Sequence, residues 1–156
     1  MITFRYATRE DCELILEFIK GLAEHVKMPD KVVATKELLE EWIFEKKSAE
    51  VIFAVEDGRE LGYALFFHNF STFLGRAGIY LEDLFVWPEN RGRGVGKALL
   101  KQLAKIAQER SCGRLEWCCL DWNKPSVDFY LALGAQPIGD ETVYRAAGET
   151  LEKLAE

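Results

Sequence analysis

Residues 80–100 read YLEDLFVWPENRGRGVGKALL, and this stretch decides the fold. An apolar strand carrying Glu82 and Asp83 stops at Pro88, and alternating glycines then lead into a helix. Such glycines expose the backbone N–H groups of the turn, and the positive end of the helix dipole lies behind them. The segment therefore predicts a phosphate-binding turn directly after a strand that carries two ionisable side chains.

The spacing of these glycines distinguishes between three phosphate-binding motifs. A Walker A loop needs four residues before its Gly-Lys pair and a hydroxyl after it, whereas residues 92–96 leave three and Ala98 follows. A dinucleotide fingerprint needs Gly-x-Gly-x-x-Gly, and the glycines here have a different phase. The third pattern, Arg-x-x-Gly-x-Gly, fits from Arg91 onward.

Length and composition exclude several classes of protein. The 156 residues predict a single domain, 1–156, that is large enough to bury a sizeable core. No apolar run is long enough to span a membrane, and the N-terminus lacks the apolar core of a signal peptide, so we expect a cytoplasmic protein. A net charge of -6 without a basic block argues against nucleic acid as a partner and favours a cationic ligand.

The cysteines and histidines do not predict a metal site. The two histidines are far apart in sequence, and the cysteine spacings match no zinc pattern. We therefore expect reduced, structural thiols at four positions: Cys12, Cys112, Cys118 and Cys119.

The order of the predicted elements is β-α-α-β-β-β-α-β-α-β-β, which is typical of an α/β (α+β) protein with a mixed, mostly antiparallel sheet of about six to seven strands flanked by helices. Residues 69–78 are expected to form a loop, and residues 115–120 a strand. Two further short strands are expected at 136–139 and 142–146.

The chain resembles the GNAT family of acetyl-CoA-dependent N-acetyltransferases, and within it the diamine and thialysine acetyltransferase subgroup. The resemblance begins with the strand 80–86 and the Arg-x-x-Gly-x-Gly turn. It continues through the segments LDWNKPS at 120–126, Phe-Tyr at 129–130 and Leu-Gly-Ala at 133–135. It implies an acyl-CoA N-acyltransferase fold, acetyl-CoA as co-substrate, no metal, and a homodimer.

The resemblance assigns the binding of acetyl-CoA to three segments, through main-chain groups of a strand, a phosphate-binding turn and the start of a later helix. Read without the resemblance, the turn is a tight strand-to-helix connection and Asn123 is an ordinary helix N-cap. The implied cofactor-binding residues are Leu84, Phe85, Val86, Arg91, Gly92, Arg93, Gly94, Val95, Gly96, Lys97, Asn123, Lys124, Pro125 and Ser126.

The two acids of the strand point to proton transfer. Glu82 and Asp83 are adjacent on a strand, so we expect their side chains to point to opposite faces. A buried carboxylate without a partner is costly, so the alternatives are an ion pair or an edge strand. An alkyl amine of pKa about 10.4 is only about 0.04% neutral at pH 7, so its attack on a thioester needs a proton acceptor. The resemblance implies that Glu82 is this base, acting through water, and that Asp83 helps to hold a cationic substrate.

Tyr130 lies on the helix that follows Asn123, where a tyrosine commonly packs as an amphipathic aromatic. The resemblance implies instead that it donates a proton to the leaving thiolate of CoA. The resemblance also implies a set of substrate-binding residues, of which Trp117 and Cys118 have sheet packing as an alternative role. This set comprises Glu82, Asp83, His25, Glu116, Trp117 and Cys118.

The expected acceptor is a primary amine of a small molecule. Related polyamine acetyltransferases carry a Tyr-Glu pair after the first helix, whereas this chain has His25, Val26 and Lys27 there. This difference favours a shorter diamine or a lysine-like amino acid over a long polycation. Acetylation of a protein N-terminus or lysine is an alternative, as is a non-catalytic CoA-binding sensor, although the presence of both Glu82 and Tyr130 argues against the sensor.

Overall fold

The computed structural model describes all residues 1–156. The chain forms two compact units, Met1–Cys118 and Cys119–Glu156. The first unit contains a five-stranded sheet with three helices, and the second contains two helices. None of the helices combines the length and apolar composition that a membrane span requires.

The sheet has the strand order β1-β2-β3-β4-β5. All neighbouring strands are antiparallel except β4 and β5, which are parallel, so the predicted mixed, mostly antiparallel sheet is confirmed. The strand number is five rather than the six to seven expected. The strands are β1 (Thr3–Tyr6), β2 (Glu50–Glu56), β3 (Arg59–Ser71), β4 (Arg76–Val86) and β5 (Leu115–Trp117).

Side-chain caps lie at or just before the start of two of the helices. The Thr8 N–H donates to Asp11 Oδ2 at 2.7 Å before the first helix, and Thr35 Oγ1 accepts from the Leu38 N–H at 3.2 Å at the start of the second. The helices are α1 (Cys12–His25), α2 (Lys36–Leu39, continued as a π-helix over Glu40–Glu45), α3 (Val95–Glu109), α4 (Lys124–Ala132) and α5 (Glu149–Leu154). Short 3₁₀ turns occupy Arg9–Asp11, Pro29–Lys31 and Pro88–Asn90.

The core beneath α1 is an aromatic cluster. The ring of Phe18 lies 5.0 Å from that of Tyr63, 5.7 Å from that of Phe53 and 4.7 Å from that of Trp87, measured between centroids. Phe85 contributes a further ring, 6.4 Å from Phe18 in an edge-on arrangement. Phe18, Phe53 and Tyr63 are fully buried, so this cluster fixes one face of the sheet.

A β-bulge interrupts β4 at the acidic pair. Leu65 pairs with Asp83, but the next residue of β3, Phe66, pairs with Leu81, so Glu82 has no partner on β3. One extra residue on one strand is the definition of a bulge, and it changes which face the following side chains occupy.

Because of the bulge, side chains that an unbroken strand would direct to opposite faces lie on the same face. Directly paired residues share a face, so Asp83 and Phe85 lie on the face of Leu65 and Tyr63, above which the aromatic cluster is built. Tyr80 pairs with Phe67 and lies on this face too, although an unbroken strand would place it opposite Asp83. We call this surface the acceptor face.

Four of the sequence expectations differ from the structure: one loop and one strand are wrong in extent, and two short strands are absent. Residues 69–78 are not one loop, because β3 continues to Ser71 and β4 begins at Arg76. The strand expected over 115–120 ends at Trp117. The strands expected at 136–139 and 142–146 do not form, because a strand needs a neighbouring strand to pair with and these segments have none. The side chains of Ile138, Val143 and Tyr144 are 71%, 85% and 92% exposed.

Candidate active site

The glycine turn leads into α3 with the geometry of an anion site. Gly92 and Gly94 have φ angles of 77° and 80°, and a Cβ added at either would meet no atom within 4 Å. It is therefore the left-handed backbone, not lack of space, that requires glycine. The first helical hydrogen bond runs from the Ala98 N–H to the Gly94 carbonyl, so the N–H groups of residues 95–97 have no acceptor within the helix. These groups fit a phosphate.

The two arginines of the turn have different partners. Arg91 Nε donates to the Val86 carbonyl at 2.9 Å, and its guanidinium lies 5.2 Å from the centre of the Phe85 ring. Arg93 forms an ion pair with Glu56, a residue at the end of β2. Arg91 is thus fixed between strand and turn, whereas Arg93 is directed toward the end of β2.

β4 has an open side directly before this turn. Its parallel pairing with β5 comprises three positions, of which Leu81↔Trp117 is the last. The following residues of β4, which include Leu84, Phe85 and Val86, have a strand neighbour on the β3 side only. Apart from the Val86 carbonyl, which accepts from Arg91 Nε, the backbone groups on the other side of this segment are therefore available to an extended ligand.

The two carboxylates at the bulge occupy the same face. Alternation counted from Tyr80 places Glu82 on the acceptor face, and pairing with Leu65 places Asp83 there as well. The expectation that they point to opposite faces is therefore wrong. The bulge inserts one extra residue, Glu82, between the part of β4 that ends at Leu81 and the part that begins at Asp83, and this shifts the alternation of side chains by one. Glu82 is exposed, and Asp83 is half-buried.

The surroundings make both acids weaker than free carboxylic acids. Partial desolvation of its carboxyl raises the pKa of Glu82, although the residue as a whole is exposed, and the negative charge of Asp83 raises it further. Burial also raises the pKa of Asp83, against the opposing effect of a hydrogen bond from Tyr63. A carboxylate with a raised pKa is a stronger base than a free one, so Glu82 combines exposure with basicity.

Tyr63 is the side chain that the sequence reasoning missed. Its hydroxyl donates to Asp83 Oδ2 at 2.5 Å, and burial, followed by the charge of Asp83, raises its pKa well above the ordinary value. The signal in the sequence is a tyrosine within the apolar run of β3, since a buried tyrosine needs a partner for its hydroxyl.

The residues of β5 differ in their partners. The carboxylate of Glu116 forms an ion pair with Arg114 at 3.1 Å and accepts from Asn69 Nδ2 at 3.2 Å. Cys118 Sγ lies 2.9 Å from the Tyr80 hydroxyl, and this contact, followed by burial, raises the pKa of Tyr80 to about 12. The negative charge of Glu116, a predicted substrate-binding residue, is thus already paired with Arg114. Cys118, in contrast, lies beside the acceptor face.

His25 lines a cleft of about 290 Å³ at the end of α1. Burial lowers the pKa of His25, and the positive charge of Arg91 lowers it further, so the imidazole is neutral at pH 7. The cleft has aromatic walls and one acid at its rim. Its lining residues are Gly21, Glu24, His25, Phe85, Trp87, Pro88 and Arg91.

In the second unit, Asn123 caps α4. Its Oδ1 accepts from the Ser126 N–H at 3.4 Å, and Pro125 follows in the first turn. Lys124 Nζ pairs with Asp128 at 2.9 Å and is exposed. Tyr130 is half-buried on the same helix, and burial, followed by the charge of Cys119, raises its pKa. Tyr130 therefore retains its proton at neutral pH.

Comparison with known proteins identifies the family to which the chain belongs. Residues 16–135 match the Acetyltransferase (GNAT) family. The thialysine N-epsilon-acetyltransferase of Bos taurus is 36% identical over 99% of this chain and 97% of its own length. The L-ornithine N5-acetyltransferase of Arabidopsis thaliana is 39% identical over 60% of this chain and 41% of its own length.

A solved structure shares the fold of this chain. An integron cassette protein from the mobile metagenome of V. cholerae superposes with a TM-score of 0.82 at 32% identity, covering 99% of this chain and 98% of the other. The family match includes the bulged strand, the glycine turn and Tyr130. This chain belongs to the GNAT family of acetyl-CoA-dependent N-acetyltransferases.

Proposed function

We propose that this protein transfers an acetyl group from acetyl-CoA to the primary amine of a small molecule, either a diamine or a lysine-like amino acid. The observation that carries the proposal is the pair of carboxylates at the β4 bulge, which lie together on the acceptor face. Two negative groups on one face suit an acceptor that carries a second positive charge. The names of the relatives, thialysine and ornithine acetyltransferases, support this class of acceptor.

The proposed reaction is a direct attack of the amine nitrogen on the thioester carbonyl carbon. A C–N bond forms, the C–S bond breaks, and no group of the protein becomes acetylated. Reaching the neutral amine at pH 7 costs about 4.6 kcal/mol, from a pKa of about 10.4. Glu82 takes the proton released from the amine, directly or through one water, and its raised pKa suits this role.

The family resemblance assigns the binding of acetyl-CoA to three segments of the chain. The N–H groups of residues 92–97 would bind the pyrophosphate, and the open side of β4 from Leu84 to Val86 would bind the pantetheine arm. Asn123, Lys124, Pro125 and Ser126 at the start of α4 would add contacts to the cofactor. Tyr130 would stabilise the thiolate that leaves.

A panel of amines tests the proposal. Purified protein is incubated with acetyl-CoA and diamines, thialysine, lysine, ornithine or polyamines, and release of the CoA thiol is followed. We expect the highest kcat/KM for a diamine or a lysine-like amino acid. Absence of thiol release above background with every amine would exclude the small-amine function, and turnover confined to peptides would indicate a protein acetyltransferase.

The glycine turn gives a prediction for cofactor binding. An alanine at position 94 disfavours φ near 80° by about 1–2 kcal/mol, so the free turn would relax to another shape and binding of acetyl-CoA would have to restore this one. We therefore expect Gly94→Ala to raise the Kd for acetyl-CoA about 5- to 30-fold in isothermal titration calorimetry. The control is Gly139→Ala, at an open position outside the left-handed region, which should bind normally. Equal affinities of the two variants would contradict the role of the turn.

Tyr130 gives a second prediction. The pKa of the phenol is raised above 10 and that of a free thiol is about 8.5, so complete proton transfer to the thiolate is uphill. The main benefit is then a hydrogen bond to the sulfur as negative charge develops, and we expect Tyr130→Phe to lower kcat about 10- to 100-fold. With an acetyl donor whose leaving thiol has a lower pKa, Tyr130→Phe should lose less of the steady-state rate. A rate within twofold of wild type would remove this role.

We further propose a homodimer located in the cytoplasm, on the basis of the family resemblance. Light scattering after size exclusion tests the first part, with an expected mass of twice that of one chain. A monomer at micromolar concentration that is fully active would contradict it.

A further inference from the structure

We propose that Tyr63 is a positioning residue for the acceptor: its buried hydroxyl keeps the Asp83 carboxylate ionised and oriented toward the acceptor's second positive charge. This inference rests on the proposed function, because it assigns Asp83 to the binding of a cationic amine. Tyr63 itself does not touch the acceptor and acts through Asp83.

The position of the hydroxyl is set by the core. The Tyr63 ring is fully buried and stacks on Phe18 at 5.0 Å between centroids, with 26° between the ring planes. Because the ring cannot move without disturbing the aromatic cluster, its hydroxyl has one available location, 2.5 Å from Asp83 Oδ2. The rigid core thus extends one polar atom to the acceptor face.

The bulge supplies the other half of the arrangement. Pairing with Leu65 brings Asp83 onto the face of Tyr63, and the extra residue Glu82 stands beside it. Tyr63 therefore donates to one of two adjacent carboxylates and leaves the other exposed. This difference divides the roles: Asp83 is held as a fixed anion, while Glu82 is free to exchange protons.

Among the groups around Asp83, the Tyr63 hydroxyl is the one that counteracts the effect of burial on the pKa of Asp83. Burial raises the pKa of Asp83 and the hydrogen bond from Tyr63 lowers it. Burial raises the pKa of Tyr63, and the charges of Asp83 and Glu82 on β4 raise it further, which keeps the phenol protonated as a donor. From α1, His25 lies 6.3 Å from the Phe85 ring and is neutral at pH 7, and Arg91 lies 5.2 Å from the same ring.

The test is Tyr63→Phe, which removes the hydroxyl and keeps the ring. Without its donor, Asp83 should have a higher pKa, so a larger fraction is protonated at low pH and the acceptor binds less well. We expect the acid limb of log kcat/KM for a diamine to move up by about one pH unit, a tenfold loss on that limb. Dividing kcat/KM of the variant by kcat/KM of wild type at each pH removes the effect of the acceptor's own titration. This ratio should return to within twofold of one at high pH.

Two controls separate this effect from damage to the fold. Tyr6→Phe removes a hydroxyl that contacts Arg110 at the far end of β1 and should leave the profile unchanged. The double variant Tyr63→Phe/Asp83→Asn should equal Asp83→Asn within twofold, because Tyr63 acts through Asp83. A uniform loss at every pH, or additive effects in the double variant, would overturn the inference.

A direct titration keeps the inference testable if the proposed function fails. The carboxyl carbons are labelled with ¹³C, Asp83 is assigned with Asp83→Asn, and its pKa is measured by NMR in wild type and Tyr63→Phe. We expect an increase of about one unit, and 3-fluorotyrosine at position 63, a stronger donor that retains the fold, should lower the pKa of Asp83. An unchanged pKa in both proteins overturns the inference, whereas inactivity toward all amines overturns only the proposed function.

Discussion

Replacing Glu82 by glutamine is expected to lower kcat/KM for the amine about 10²- to 10⁴-fold at pH 7, the usual contribution of a positioned general base. Glutamine preserves the size of the side chain and its place at the bulge but cannot take a proton. The loss should shrink as the pH approaches the pKa of the acceptor, because more of the amine is then neutral before it binds.

The pH dependence distinguishes this role from others. Wild-type activity on the acid side should fall as pH drops through the pKa of Glu82, which burial and Asp83 raise above that of a free glutamate. In Glu82→Gln the acid limb should keep only the contribution of Asp83. The matched control is Glu109→Gln, at an exposed position at the end of α3, which should behave as wild type. A loss of equal size at every pH would indicate that Glu82 supports binding or folding instead.

Replacing Phe18 by alanine is expected to lower the free energy of unfolding by about 3–5 kcal/mol. Phe18 is fully buried and its ring contacts those of Tyr63, Phe53, Phe85 and Trp87, so its removal leaves a cavity at the centre of the cluster. The melting temperature should fall by roughly 10 °C in a thermal unfolding experiment.

The control for this substitution uses the same chemical change on the surface. Phe73 is 100% exposed, so Phe73→Ala should change the free energy of unfolding by less than about 0.5 kcal/mol. If Phe18→Ala cost no more than Phe73→Ala, the aromatic cluster would not be the part of the core that stabilises the first unit.

The sequence predicts the glycine turn and its helix well because local chemistry determines both. A left-handed backbone requires glycine, and the apolar spacing after Val95 identifies one face of α3, which the structure buries at Leu99, Leu103 and Ile106. The cap at Thr35 is local in the same sense, since its partner is three residues away.

The features that the sequence did not reveal depend on pairing between distant strands. The bulge at Glu82 follows from the register of β4 against β3, which no pattern within β4 records. The contact of Tyr63 with Asp83 depends on that register and so was missed with it. The early end of β5 at Trp117 has the same origin, because strand length is set by how long two chains remain adjacent.

The bulge makes the acceptor face depend on the number of residues in β4 as well as on their identity. Deleting Leu81, for example, would restore regular pairing with β3 and place Glu82 opposite Phe66, so that Glu82 and Asp83 would face opposite ways. Exchanging one side chain for another leaves that count intact. Insertions and deletions, rather than substitutions, are therefore the changes that this strand is least able to absorb.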